Sequence, residues 1–75
     1  MKFLSIKTVA NAIGIGTRQI YVLCRNRKIK DVIKLGRVWY IPYPTYFIGE
    51  RANYKRYNEI LANNKDLEFL DFPFK

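Results

Sequence analysis

Two glycines, Gly14 and Gly16, lie two positions apart between two apolar, helix-like runs, and this break constrains the fold more than any other feature of the sequence. In the run before them, residues 5–13, apolar side chains recur at helical spacing and form one stripe: Ile6, Val9, Ala10 and Ile13. Ser5 is a good N-cap, and Gly14 is expected to end the helix in the left-handed conformation. The pattern predicts a first helix of only about two turns.

The run after the break predicts a second short helix over residues 17–25, with Gly16 as its N-cap. Its apolar stripe consists of Ile20, Leu23 and Cys24, and Ile15 is expected to fill the corner between the two helices. A glycine break of this length lets two helices cross at a steep angle, as in a helix-turn-helix unit. The second helix would then present its polar face and its first turn to solvent.

Residues 32–42 (VIKLGRVWYIP) predict a β-hairpin that turns at Gly36-Arg37 and ends at Pro42 and Pro44. The polar connection before it, residues 26–31, would be anchored by Ile29. Alternation places Ile33 and Leu35 on one face of the first strand and Lys34 on the other. In the second strand it places Trp39 and Ile41 on one face and Val38 and Tyr40 on the other. We therefore expect an apolar inner face, a basic tip and a Trp39 that is buried in the core instead of stacking on bases.

Residues 45–63 can form a third helix, although Gly49 favours the shorter segment 50–62. Tyr54, Tyr57 and Leu61 would share one face of it. The tail that follows is too apolar to remain in water, with Leu67, Phe69, Leu70, Phe72 and Phe74 in a short span. It is expected either to pack back on the body or to form a partner interface, and residues 54–74 are the candidate surface for a homodimer.

The net charge of +8 is concentrated in one part of the 75-residue chain. Nine basic residues and one acid, Asp31, fall in residues 1–49, whereas residues 50–75 carry five of each sign. A segregated positive field is typical of a chain that binds a polyanion. It predicts a basic, polyanion-facing part and a neutral part with another task.

Composition excludes several classes of site. With one cysteine and no histidine, the chain has neither an internal disulfide nor enough soft ligands for structural zinc. We expect no metal, no cofactor and no enzymatic activity, and we expect Cys24 to be a small core side chain. No run approaches the roughly 20 apolar residues of a membrane span, and no secretory signal is present. The expected location is the cytoplasm, with no membrane contact.

The stretch FLSIKTVANAIGIGTRQIYVLCRNRKI together with VIKLGRVWYIP resembles the winged-helix DNA-binding domains of the excisionase and MerR-like superfamily. The shared features are the Ser5 cap, the pair Val9-Ala10, the glycine turn and a wing that ends in Val38-Trp39-Tyr40-Ile41-Pro42. The chain departs from that pattern at Gly16, where a hydroxyl cap is usual, and at Val38 and Tyr40, where the wing usually has arginines. The resemblance implies an α+β fold, with a winged helix-turn-helix core over residues 1–44 and a C-terminal helix and tail over residues 45–75.

The resemblance and the charge pattern together predict a double-stranded DNA-binding protein, with the second helix in the major groove and the wing on adjacent backbone or minor groove. The residues expected to contact DNA are Thr17, Arg18, Gln19, Tyr21, Val22 and Arg25 on the second helix, Arg27, Lys28 and Lys30 in the connection, and Lys34, Arg37 and Tyr40 on the hairpin. Arg can pair with guanine and Gln with adenine, so Arg18 and Gln19 are the candidates for base readout.

Two roles are compatible with these contacts: an excisionase-like architectural factor of a phage or plasmid that works with a recombinase, or a small transcriptional repressor that works with a transcription partner. Two alternatives belong to other classes of function. A protein-interaction module would act through the aromatic tail, and an RNA-binding protein would need exposed aromatic side chains for base stacking.

Overall fold

The structure, a computed structural model, describes residues 2–71. It is a small α+β fold of three helices and one three-stranded antiparallel sheet. In chain order the elements are β1 (Lys2–Leu4), α1 (Ile6–Ile13), α2 (Thr17–Arg25), β2 (Ile33–Leu35), β3 (Val38–Tyr43) and α3 (Ala52–Asn63).

Helices α1 and α2 have the bounds that the glycine break predicts. The Ser5 side chain accepts a hydrogen bond from the Thr8 N–H at 3.0 Å and caps α1. Gly14 takes a left-handed φ of 77° and donates its N–H to the Ala10 carbonyl at 2.9 Å. At the start of α2, the Gly16 N–H donates to the Gln19 side chain at 3.3 Å. Both caps are local, which explains why the sequence alone was enough to locate these helices.

The sheet has the order β1-β3-β2, so β3 is its central strand. β2 pairs with the first half of β3 and β1 pairs with the second half, on opposite edges. The sequence did not predict β1, and the expectation that Pro42 ends the second strand is wrong, because Pro42 pairs with Phe3 inside β3. Proline is tolerated there because β3 has only one neighbouring strand at that position. The strand ends at Tyr43, before the cis Tyr43–Pro44 peptide bond.

The hairpin of β2 and β3 turns at Gly36-Arg37 as predicted, but its faces are not those expected. Gly36 has a φ of 59° at the first central position, the arrangement of a type II′ turn. This two-residue turn pairs Leu35 with Val38 and therefore Lys34 with Trp39. Directly paired residues share a face of the sheet, so Lys34 lies on the side of Trp39, and Ile33 and Leu35 lie on the other side.

The connection before the hairpin pairs with a segment beyond it. Ile29 and Phe47, both buried, form an antiparallel bridge. The Lys30 N–H donates to the Tyr46 carbonyl at 2.8 Å, and the Ile48 N–H donates to the Lys28 carbonyl at 2.7 Å. Ile29 is thus the anchor that the sequence predicted, but residues 45–51 are not helical, and the longer prediction for the third helix, 45–63, is wrong there. The shorter prediction, 50–62, is close to the observed α3.

The tail packs back on the sheet as far as the structure describes it. The Leu70 N–H donates to the Phe3 carbonyl at 2.8 Å, and the Phe69 ring meets the Tyr43 ring edge-on at 5.3 Å between centroids. Phe72 and Phe74, which the prediction for the tail also included, lie outside the described residues. Tyr54 and Leu61 are buried in the core of this chain, so a self-association surface within residues 54–74 would have to use other side chains.

Candidate functional site

Helix α2 presents an exposed face opposite its two core residues, Ile20 and Cys24. At 3.6 residues per turn, the side chains farthest from the core are Arg18, Gln19, Val22 and Arg25, and all four are exposed. Thr17 and Gln19 are exposed in the first turn of the helix. The six α2 residues predicted as contacts, including Tyr21, therefore lie on accessible surface.

On one flank of α2, aromatic contacts join the helix to the hairpin. The Tyr21 ring, 39% exposed, meets the Trp39 ring edge-on with centroids 6.4 Å apart. The Lys34 Nζ lies 5.5 Å from the Trp39 ring centroid, the Arg27 guanidinium lies 6.0 Å from it, and the Arg25 guanidinium lies 5.8 Å from the Tyr21 centroid. These distances are within the range of cation–π attraction. We call these five residues the Trp39 cluster: Tyr21, Arg25, Arg27, Lys34 and Trp39.

Trp39 is 7% exposed, which confirms the prediction that it belongs to the core. Its indole Nε1–H is buried and has no hydrogen-bond acceptor within the described part of the chain. Arg27 leaves the helix end with a positive φ of 57° and donates from Nη1 to the Val32 carbonyl at 3.2 Å. That bond and the ring contact position the Arg27 guanidinium between α2 and the hairpin.

The two other hairpin residues predicted to contact DNA, Arg37 and Tyr40, lie away from the Trp39 cluster. Arg37 is exposed in the turn, at the tip of the hairpin. Tyr40 is half-buried and pairs with Ile33, and its ring packs edge-on against Phe3 at 5.9 Å. The structure therefore brings Tyr21, Arg25, Arg27 and Lys34 together, whereas Tyr40 lies on the opposite face of the hairpin.

On its other flank, α2 borders an open groove of about 1000 Å³ that the sequence did not predict. Its second wall comes from residues 49–57, at the start of α3. We call it the α2–α3 groove. Its lining residues are Ile15, Arg18, Gln19, Val22, Leu23, Asn26 and Lys28 from the α2 side and Gly49, Glu50, Arg51, Asn53, Tyr54 and Tyr57 from the α3 side.

The α3 side of this groove depends on two contacts that pack the chain after β3. The Phe47 N–H donates to the Asn58 side chain at 2.7 Å. Gly49 has a φ of 140°, and a Cβ at this position would come within 3.0 Å of the Tyr54 ring. Sequence reasoning missed Asn26, Glu50, Arg51 and Asn53, because no local pattern indicates that residues 49–57 return to α2.

Within the part of the chain that the structure describes, no carboxylate pairs with the positive charges of this surface. Among residues 2–71, no lysine or arginine nitrogen lies within 4.0 Å of a carboxylate oxygen. Arg18, Lys28 and Arg37 form no side-chain hydrogen bond with any part of the chain that the structure describes. Unpaired, solvated cations on both flanks of α2 can attract a polyanion without first breaking internal ion pairs.

The only cysteine of the sequence, Cys24, is buried in helix α2. Burial raises the pKa of the Cys24 thiol to about 11, an effect that the nearby Arg27 charge partly opposes. The thiol is therefore protonated at neutral pH and is a poor nucleophile. Between Lys2 and Asp71, three or more His, Cys, Asp and Glu side chains nowhere come together as a site for a metal ion. No helix in that range has the length and apolar character needed to cross a bilayer.

Comparisons of the chain with protein-family models, with curated proteins and with solved structures found no match.

Proposed function

We propose that this chain is a winged helix-turn-helix protein that binds double-stranded DNA. In this reading α1 and α2 are the helix-turn-helix, α2 enters the major groove, and the hairpin of β2 and β3 is a wing on the adjacent backbone or minor groove. The observation that carries the proposal is the Trp39 cluster, which joins the hairpin to α2 and places cations from both on one surface.

The dimensions and the side chains of α2 support this mode of binding. A helix with its side chains is about 10–12 Å across, and the major groove of B-DNA is about 12 Å wide. Arg18 and Gln19 lie in the first turn of α2, which is where docked recognition helices meet base edges. We assign them base readout, with Thr17, Tyr21, Val22 and Arg25 as further contacts along the helix.

The cations outside α2 are assigned to the sugar-phosphate backbone. Lys34 and Arg27 belong to the Trp39 cluster, and Arg37 extends from the hairpin tip. Lys28 and Lys30 follow α2 and would add further phosphate contacts. Tyr40, which lies on the opposite face of the hairpin, could take part only if DNA also contacted that face.

The resemblance seen in the sequence favours an excisionase-like architectural factor of a mobile element, in the cytoplasm and without a catalytic step. A small transcriptional repressor with the same DNA contacts is the alternative. One domain of this size contacts a short site, so useful specificity calls for two or more copies, or for a recombinase or transcription partner.

The test is selection of binding sites from a random duplex pool, followed by measurement of affinity across salt concentrations. We expect an enriched motif, a steep fall in affinity with salt, and a salt slope that decreases by about one for Arg37→Ala. Arg56→Ala is the matched control, since Arg56 is exposed on α3 and lies in neither the Trp39 cluster nor the α2–α3 groove.

Other outcomes would favour one of the two alternative functions, RNA binding or protein binding through the tail. Stronger competition by single-stranded RNA than by duplex DNA would favour RNA binding, for which Tyr21 is the exposed ring beside the cations. Absence of nucleic-acid binding at low salt would reject the proposal and favour a protein partner of the tail, where Phe69 is 40% exposed.

A further inference from the structure

We propose, on the assumption that the proposed DNA binding is correct, that the α2–α3 groove holds the sugar-phosphate backbone of the second DNA strand and that Arg51 contacts its phosphates. This assigns a binding role to the start of α3, in the part of the sequence whose net charge is zero. It also makes the interface two-sided, with one strand on each flank of α2.

The position of the groove supports this assignment. A helix that fills the major groove has one DNA strand on each side. The Trp39 cluster occupies one flank of α2, and the α2–α3 groove occupies the other. The groove shares Arg18, Gln19 and Val22 with the exposed face of α2, so it continues the proposed interface without a gap.

The charges in the groove suit a polyanion. Arg18, Lys28 and Arg51 face it against one carboxylate, Glu50. Within residues 2–71, none of these four side chains forms an ion pair or a hydrogen bond. Their excess positive charge is therefore available to an external phosphate.

The backbone of α3 adds to this field. Arg51 is the N-cap residue, no side chain caps that end of the helix, and its first turn contains no acidic residue. The N–H groups and the positive end of the helix dipole favour an anion at this position. A phosphate there would thus be near both the Arg51 side chain and the uncapped end of the helix.

The shape and the apolar surface of the groove fit a chain better than a small molecule. Its volume, about 1000 Å³, is at the upper end of the roughly 300–1,000 Å³ range of small-molecule sites, and the groove is open. Apolar and aromatic residues also line the groove, namely Ile15, Val22, Leu23, Tyr54 and Tyr57. Such a surface suits the C–H groups of deoxyribose, with phosphates at the charged rim.

The experiment compares three variants of the full chain on the duplex obtained by selection. Arg51→Gln removes the proposed phosphate contact, and Arg56→Gln removes an equal charge from the same helix outside the groove. Glu50→Gln removes the one negative charge among the described residues that line the groove. Thermal unfolding should match the wild type in all three, because none of these side chains has a partner among the described residues.

We expect Arg51→Gln to weaken binding roughly fivefold to tenfold and to decrease the salt slope by about one. Glu50→Gln should strengthen binding about twofold to fivefold, and Arg56→Gln should change it less than about twofold. In a hydroxyl-radical footprint, the wild type should protect both strands beside the α2 site, and Arg51→Gln should lose protection on one strand only.

The inference is overturned, and DNA binding by α2 and the hairpin stands, if Arg51→Gln and Arg56→Gln have equal effects or if Glu50→Gln weakens binding. Absence of salt-dependent duplex binding by the wild type would instead reject the proposed function itself. If poly-L-glutamate binds the wild type but not Arg51→Gln, and the footprint of Arg51→Gln is unchanged, the groove belongs to an acidic protein partner and not to DNA.

Discussion

The two flanks of α2 carry the same sign of charge but hold it in different ways. On the hairpin flank, Lys34 and Arg27 lie 5.5 and 6.0 Å from the Trp39 ring centroid. On the groove flank, Arg18, Lys28 and Arg51 have no side-chain partner within residues 2–71. Ordering a free, long side chain on binding costs about 0.5–1.5 kcal/mol. The hairpin flank is thus partly pre-ordered, whereas the groove flank can adapt to what it binds.

Trp39→Ala should have the largest effect on the hairpin flank, because it removes the ring that joins the hairpin to α2. Truncation of a buried aromatic side chain costs about 3–5 kcal/mol, and we expect a loss of that size in chemical denaturation. Trp39→Phe is the matched control, because it keeps a ring and removes the indole N–H that has no acceptor in the described chain. Equal losses for the two variants would show that the ring does not hold the flank together.

A second experiment compares the flanks through Arg18 and Arg37. Arg18→Ala should weaken binding to the selected site by about 1–3 kcal/mol and relax specificity at one position, because this side chain is assigned to a base edge. Arg37→Ala should weaken binding to all sequences alike, as loss of a phosphate contact does. Measurement of both variants on matched and scrambled duplexes separates these outcomes, and identical specificity profiles would contradict the assignment.

The core face of α2 should give a smaller, pH-dependent effect. The Cys24 pKa of about 11 in the folded chain exceeds its ordinary value of 9.0. Because the unfolded chain loses this proton first, the Cys24 contribution to stability is complete below pH 9 and is lost as the pH rises toward 11. By pH 10 the loss should be about 1 kcal/mol. Denaturation of wild type and Cys24→Ala across this range checks it, since the steeper fall should belong to the wild type.

A substitution at the start of α2, between the two flanks, should change the stability of the fold least. Gly16 has a φ of −72°, and nothing lies within 4 Å of where its Cβ would be. Gly16→Ser adds a capping hydroxyl and should stabilise the fold by a few tenths of a kcal/mol. Thermal unfolding measures this, and an unchanged or lower Tm would contradict the expected capping bond from the added hydroxyl to the first-turn N–H groups.

The sequence predicted the parts of the fold that depend on neighbouring residues. Ser5 and Gly14 determine the ends of α1 through local hydrogen bonds, and Gly36 determines the turn of the hairpin. The faces of the hairpin were wrong because pairing across a two-residue turn, and not alternation within each strand, decides which residues share a side. Lys34 therefore came to lie beside Trp39.

Contacts between distant residues account for the remaining differences. β1 is three residues long, too short for a periodic signal, and all three of its residues pair with the distant second half of β3. Phe47 is held by Asn58 and by the bridge to Ile29, which keeps residues 45–51 out of the helix. The same folding brings Arg51 to α2, so half of the α2–α3 groove has no local signal.

Trp39 is the only tryptophan of the chain, and its ring extends from β3 to meet Tyr21 of α2, with two cations near it. Its fluorescence therefore comes from one position, at the proposed interface. An anion that docks on Lys34 and Arg27 would change the electric field at the indole and shift its emission. The protein thus contains its own optical probe for docking on the hairpin flank, and a ligand confined to the groove flank would leave that signal nearly unchanged.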